Sequence, residues 1–187
     1  SIISPDEMIE QWLREAVRRA NQVIYHCNAD YDTNMASTVT VSLIYKRHLY
    51  VASVGDSRAY HFSQGKGLKR ITTDHTLGMG LVEAKLFKPE EIYTSPKGKK
   101  LYRFLGQAPP DALAQIDSFQ FPVEANDLLL LCTDGLWQML RDDRLQELLA
   151  QGVARQIDPQ KLARTLVDEA NLAGGEGNVS AIVVGIL

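Results

Sequence analysis

Apolar residues early in the chain fall at Ile9, Leu13, Ala16, Ala20 and Ile24, three or four positions apart. That is one stripe of an α-helix. Ser4 is a good N-cap, Pro5 suits a first helical turn, and Asp6 and Glu7 suit the positive end of the helix dipole. The spacing predicts a helix over 5–27, then a polar turn over 28–34. From Ser37 the period becomes two. Val39, Val41 and Leu43 alternate with Thr38, Thr40 and Ser42, which predicts a strand. Lys46-Arg47 turns the chain into a second strand over 49–54. Gly55-Asp56-Ser57-Arg58 interrupts it, 59–62 resumes it, and Gln64-Gly65-Lys66-Gly67 makes a hairpin into 68–71. The pattern reads as an antiparallel meander.

Residues 76–105 are more helical, and Pro109-Pro110 closes that stretch. Residues 116–121 and 128–132 are predicted strands around the turn Asn126-Asp127. Helices follow over 143–151 and 158–173, the second with Pro159 in its first turn. The chain ends on an apolar run over 179–186, predicted as a buried strand. Helices flanking mostly antiparallel strands give an α+β layered sandwich. There is no repeat, low-complexity tract or linker, so residues 1–187 are expected to form a single domain.

Composition narrows the function. With 45% hydrophobic and 23% charged residues in 187, a sizeable core is expected and disorder is not. A formal net charge of −3 argues against a protein that coats nucleic acid. No stretch approaches the roughly 18 apolar residues of a membrane span, and the first residues lack the order of a signal peptide. Cys27 and Cys132 lie in unrelated segments and read as reduced, structural thiols of a cytoplasmic protein.

Candidate chemistry concentrates at carboxylates beside strand ends. In Leu128-Leu129-Leu130-Leu131-Cys132-Thr133-Asp134-Gly135, an apolar strand delivers Asp134, and Gly135 frees the backbone to turn away. A rigid carboxylate of this kind suits a hard cation such as Mg²⁺ or Mn²⁺. The plainer reading is an Asx turn or a helix cap. Asp56 sits at the break between strands, where the plainer reading is a β-bulge with a surface Asp–Arg pair. In Thr73-Asp74-His75-Thr76, Thr73 or Asp74 reads as an N-cap; His75 could act as a general acid, and its plainer reading is a surface or capping residue. Other chemistries fail on spacing. A cysteine phosphatase needs an arginine six residues after its thiolate, and Gln138 follows Cys132 there. Asp30-Tyr31-Asp32 lacks both the strand of an Asp-x-Asp nucleophile loop and the Gly and Glu of a Ca²⁺ loop. No Gly-rich phosphate loop and no Cys/His zinc spacing occurs.

Three segments in order resemble the PP2C (PPM) family of metal-dependent protein serine/threonine phosphatases, bacterial branch. They are Val54-Gly55-Asp56-Ser57-Arg58, Leu131-Cys132-Thr133-Asp134-Gly135-Leu136-Trp137 and Gly174-Gly175-Glu176-Gly177-Asn178-Val179. Met35-Ala36-Ser37-Thr38, Thr73-Asp74-His75-Thr76 and Lys88-Pro89-Glu90-Glu91-Ile92 resemble further family segments. The resemblance implies an αββα sandwich of two antiparallel sheets, a binuclear Mg²⁺ or Mn²⁺ centre and a metal-activated water that attacks phosphoserine or phosphothreonine. It implies Asp134 as a core metal ligand and Asp56 as a ligand of a weaker third metal. Asp74 and Glu176 become metal or structural carboxylates. The basic stretch Lys85, Lys88, Lys97, Lys99, Lys100 and Arg103 becomes a flap governing phosphoprotein access, where a solvated face is the plainer reading.

The departures matter equally. The family opens with strands bearing Arg-x-x-Asn-Glu-Asp and Asp-Gly-x-Gly-Gly, and this chain begins at the helix after them, so the sandwich is expected to be N-terminally incomplete. The family's Asp-Asn is here Gly177-Asn178, which leaves Gly177 as a degenerate ligand position. Glu176 is the neighbouring carboxylate, but a shift of one residue at a strand's start points a side chain elsewhere. Two readings follow: a phosphatase acting on phosphoproteins, with a serine/threonine kinase or its targets as partners, or an impaired pseudophosphatase that docks phosphoproteins. Uncovered sheet edges predict an oligomer or a covering partner.

Overall fold

The computed structural model describes residues 4–107 and 116–187. In chain order the elements are α1 (Pro5–Tyr31), β1 (Val39–Tyr45), β2 (His48–Val54), β3 (Arg58–Ser63), β4 (Gly67–Arg70), α2 (Leu77–Glu83), α3 (Glu91–Thr94), β5 (Asp117–Pro122), β6 (Leu128–Cys132), α4 (Asp134–Ala154), α5 (Pro159–Leu172) and β7 (Ala181–Gly185). The predicted stop at Pro109-Pro110 lies outside the described residues. The chain divides into two compact units, Ser1–Asp56 with Thr73–Phe121, and Ser57–Thr72 with Pro122–Leu187.

The first unit is built on a three-stranded sheet in the order β1-β2-β5. β1 and β2 form an antiparallel hairpin from Val39↔Val54 to Tyr45↔His48, turning at Lys46 with φ +54°. α1 starts in a capping box. Ser4 Oγ accepts the Glu7 N–H at 3.2 Å, and the Ser4 N–H donates to Glu7 Oε2 at 2.9 Å. Its buried stripe is Ile9, Leu13, Val17 and Asn21, packed in a core with Tyr50, Ala52, Val54, Leu105 and Ile116. Ala16 and Ala20, expected in that stripe, are exposed. A strict four-residue step carries the stripe to Asn21, whose buried amide accepts the Gly106 N–H at 2.7 Å. The helix also outlasts its predicted end at 27. Asn28 stays helical while its side chain holds the following loop, accepting the Met35 N–H at 2.7 Å and donating to Met35 O at 2.9 Å. Asp32, left-handed at φ 51°, then ends the helix.

The second unit carries a four-stranded sheet in the order β4-β3-β6-β7, with the β3–β4, β3–β6 and β6–β7 pairs antiparallel. Its core comes largely from α4 and α5, including Leu136, Trp137, Leu145, Leu149, Leu162 and Leu166, all essentially inaccessible. Gly152 lets the helices close up: a Cβ there would lie 2.7 Å from Leu162 Cδ2.

Helices with antiparallel strands make this the expected α+β class, but several local expectations change. The meander is two hairpins in two different sheets: β3 does not resume β2 but pairs with β6. β5 and β6 do not face each other across Asn126-Asp127 either, since β5 joins β2. Side chains point alternately to opposite faces in any strand, whichever sheet it joins, so only long-range pairing assigns the sheet. The helix expected over 143–151 begins at Asp134 and is broken at Arg141, whose φ 53° and ψ 167° are not helical. The stretch 76–105 holds only α2 and α3 as helix. The last strand, expected to be buried, lies at a sheet edge with Ile182 58% exposed.

Candidate functional site

In the second unit, β6 is an interior strand, and Thr133 and Asp134 follow directly from it into α4. Thr133 is the N-cap, yet its hydroxyl does not cap the helix. It donates to Asn178 O at 2.9 Å and accepts the Ser180 N–H at 3.0 Å, while the Thr133 N–H donates to Ser180 O at 3.2 Å. Gly135 does not serve the sharp turn expected of it; it is helical and admits a neighbour. A Cβ on it would stand 2.6 Å from Asn178 O and 3.3 Å from Glu176 O. The loop before β7 therefore lies directly on the strand-to-helix junction. Asp134, half-buried at the first helical position, accepts from Gln138 Nε2 at 3.3 Å. A carboxylate is favoured there by the helix dipole. Asp134 thus leaves the end of an interior strand, as expected, and lies in the first helical turn, while the cap position expected of it belongs to Thr133.

Beneath this junction sits a buried network that sequence reasoning missed. Arg58 is wholly buried, its guanidinium 3.5 Å from the Trp137 ring centroid. Its NH1 donates to the Tyr60 hydroxyl at 2.8 Å, and that hydroxyl donates to Asp142 Oδ1 at 2.8 Å. Burial pushes the Tyr60 pKa well above its ordinary value. Asp142 is the residue after the break at Arg141, so the network joins β3 to both halves of α4. The expected surface Asp–Arg pair is overturned, because Asp56 and Arg58 are both buried. The signal available was the i, i+2 repeat of Arg58, Tyr60 and Phe62 on one strand.

In the first unit, Asp56 follows Gly55 at the end of β2. Gly55 has φ +108°, and a Cβ on it would meet Thr38 Cγ2 at 2.4 Å. Only glycine fits. Asp74 and His75, read as cap or surface residues, are buried at 2% and 1% exposure. The cap of α2 is instead Thr76, whose Oγ1 accepts the Met79 N–H at 3.2 Å. A cap needs only an oxygen one step before the helix, and three residues of this segment, Thr73, Asp74 and Thr76, offer one. Of the basic stretch, Lys85, Lys88, Lys97, Lys99 and Lys100 are exposed. Arg103 is not: its NH1 lies 3.3 Å from Asp117 Oδ1, and its guanidinium is 5.6 Å from the Tyr102 ring centroid.

The donor set does not by itself fit a two-metal centre. Among the described residues no group of three or more His, Cys, Asp and Glu is placed to hold a metal ion. At Gly177, with φ +79°, nothing lies within 4 Å of where a Cβ would project, so the position offers space and no ligand. Glu176 is exposed. Among the described residues no helix is long and apolar enough to cross a membrane, and neither cysteine forms a disulfide.

The family model "Protein phosphatase 2C" matches residues 3–78 and 93–179. The serine/threonine phosphatase stp of Listeria welshimeri is 31% identical over 180 residues, covering 95% of this chain and 68% of the relative. The crystal structure of the serine/threonine phosphatase Stp1 from Staphylococcus aureus superposes with a TM-score of 0.87 at 26% identity, covering 100% of this chain and 71% of that one. The catalytic domain of the serine/threonine protein phosphatase PstP, solved in complex with two manganese ions, gives a TM-score of 0.77 at 29% identity, covering 93% and 70%.

Proposed function

The chain belongs to the protein phosphatase 2C family, and on that premise we propose that it is a protein serine/threonine phosphatase hydrolysing phosphoserine and phosphothreonine. The observation that carries this reading is the junction of β6 with α4. Asp134 is offered from the end of an interior strand, and Gly135 makes room for the loop that carries Glu176, Gly177 and Asn178. Two of the three segments that resemble the family are therefore in direct contact in the folded chain. The relatives named above are phosphatases, and none lends support to an impaired docking module.

Asp134 is proposed as a metal ligand, with Asp56 as a ligand of a weaker further ion and Asp74 and Glu176 as supporting carboxylates. The metal is magnesium or manganese, and this chain's described residues supply only part of its ligands. The exposed lysines 85, 88, 97, 99 and 100 are proposed to meet the phosphoprotein, whose source is a serine/threonine kinase acting in the cytoplasm. Arg103, held by Asp117, positions the segment instead. The domain proposed to do this is one, over residues 1–187.

The test is phosphate release from a phosphothreonine peptide with Mn²⁺, comparing the protein with Asp134→Asn. The substitution should lower turnover at least about 100-fold, the upper end of what even outer partners of metal ligands contribute. Unchanged turnover would remove Asp134 from the site.

A further inference from the structure

His75 has four hydrogen-bonding groups, and each is engaged inside the first unit. Its backbone N–H donates to Gly55 O at 2.9 Å, and its carbonyl accepts the Tyr102 N–H at 3.0 Å. Its Nδ1 accepts the Gly55 N–H at 3.0 Å. An amide can only donate, so Nδ1 carries the lone pair and the ring proton resides on Nε2. Nε2 lies 3.2 Å from Asp117 Oδ2 and so donates to it. Arg103 NH1 stands 3.2 Å from the same nitrogen and 3.3 Å from Asp117 Oδ1, which balances the carboxylate.

Gly55 is thereby gripped on both its N–H and its C=O by a single residue, one position before Asp56. The other end of His75 grips a neck. Thr76 and Leu101 form an isolated antiparallel bridge, Leu77 N–H donates to Lys100 O at 2.8 Å, and Gly78 N–H donates to Lys97 O at 2.8 Å. Residues 77–101, with their exposed lysines, leave and return through this neck. The ring of Tyr102, 5.9 Å from the imidazole centroid, lies beside it.

We propose that His75 is a positioning residue: it sets the Gly55–Asp56 turn and ties it to the neck of the 77–101 segment, so that one neutral imidazole aligns the Asp56 carboxylate and the substrate-facing lysine segment together. The proposal deepens the phosphatase reading and rests on it for the role of Asp56. The clasp itself rests only on the contacts above. A bond from a buried side chain to the amide before a functional aspartate restrains that aspartate more closely than a surface contact does, because water cannot replace it.

Three variants test this. His75→Asn keeps an oxygen near the Nδ1 position, His75→Gln places its polar end near Nε2 instead, and His75→Ala removes both. Amide exchange at Gly55 and Tyr102 is read alongside kcat and KM for a phosphothreonine peptide. His75→Ala and His75→Gln should speed exchange at Gly55 about tenfold and lower kcat about tenfold, the equivalent of one lost hydrogen bond. His75→Asn should restore most of both. In an Asp56→Asn background, His75→Ala should change kcat less than about twofold, since two residues coupled through one backbone turn are not additive. Equal losses in His75→Asn and His75→Gln, or a full additive loss beside Asp56→Asn, would overturn the proposal. If His75→Ala does not fold, the comparison of His75→Asn with His75→Gln decides alone. If the unaltered protein releases no phosphate, the functional reading fails, and exchange at Gly55 still decides whether His75 holds the turn.

Discussion

Asp56 and Asp134 each stand just past the end of a strand with neighbours on both sides, yet they are held by opposite means. The turn before Asp56 is gripped by one residue with an ionisable ring: His75 Nδ1 accepts the Gly55 N–H, and the His75 backbone N–H donates to Gly55 O. The junction around Asp134 is gripped by the uncharged Thr133 hydroxyl, which bonds Asn178 O and the Ser180 N–H, by one backbone bond from Thr133 to Ser180, and by the absence of a side chain on Gly135. The first arrangement can be altered by chemistry, through the protonation or replacement of one ring. The second has no ionisable group in its grip and is altered by volume at Gly135 or by loss of the Thr133 hydroxyl. Two aspartates with the same local sequence setting therefore answer to different perturbations.

The largest effects should come from adding a methyl group at each glycine. Gly55→Ala combines a left-handed backbone at φ +108° with a Cβ 2.4 Å from Thr38 Cγ2. Together these should cost about 3 kcal/mol or more. Gly135→Ala has no backbone penalty and meets the Asn178 carbonyl at 2.6 Å and Glu176 O at 3.3 Å, so about 1–3 kcal/mol is expected. Urea unfolding of the two variants measures both. Equal costs would mean that the backbone at Gly55 is not strained for other residues, and the contrast would narrow.

A smaller effect should separate the two regions by pH. Burial, above all, lowers the His75 pKa in the folded protein; Arg103 lowers it further, and Asp117 and Asp74 oppose the shift. The unfolded imidazole titrates near 6.5, so the unfolded chain takes up a proton first as the pH falls. Stability from His75 is thus complete above about pH 6.5. It is lost as the pH drops from there towards the folded value, by at most about 1.4 kcal/mol per pH unit. The difference in stability between the protein and His75→Asn should shrink over that range. A difference independent of pH would show that the ring is not held neutral.

The smallest effect belongs to the open position beside Asp134. Gly177→Asp places a carboxylate where nothing lies within 4 Å, at φ +79°. It should cost no more than about 1–2 kcal/mol, since aspartate tolerates left-handed backbone better than most residues. Mn²⁺ affinity by calorimetry should rise. No rise would place the weakness of the donor set elsewhere than at Gly177.

Much of the fold was legible locally. The β1–β2 hairpin, the β6 strand, α5 between Asp158 and Ala173, and the start of α1 at Ser4 all follow from periodicity, caps and turn residues within a few positions. Arg58 shows where that reading stops. A charged residue next to an aspartate in a strand break reads as a surface pair, and nothing within ten residues announces the Trp137 face that covers it. His75 fails for the same reason. Its partners, Gly55, Tyr102 and Asp117, are 20, 27 and 42 positions away in the sequence.

The sequence by itself determined the β1–β2 hairpin, β6, α5, the start of α1 and which acidic residues stand at strand ends, because those depend on short-range alternation, caps and backbone freedom. It also carried the family, since ordered motifs survive without any knowledge of contacts. Tertiary structure alone decided which sheet each hairpin joins, that β7 lies at an edge, and how Asp56 and Asp134 are each secured. The reason is physical. Pairing and burial are set by partners far along the chain, whose free energy of association leaves no mark in the local pattern.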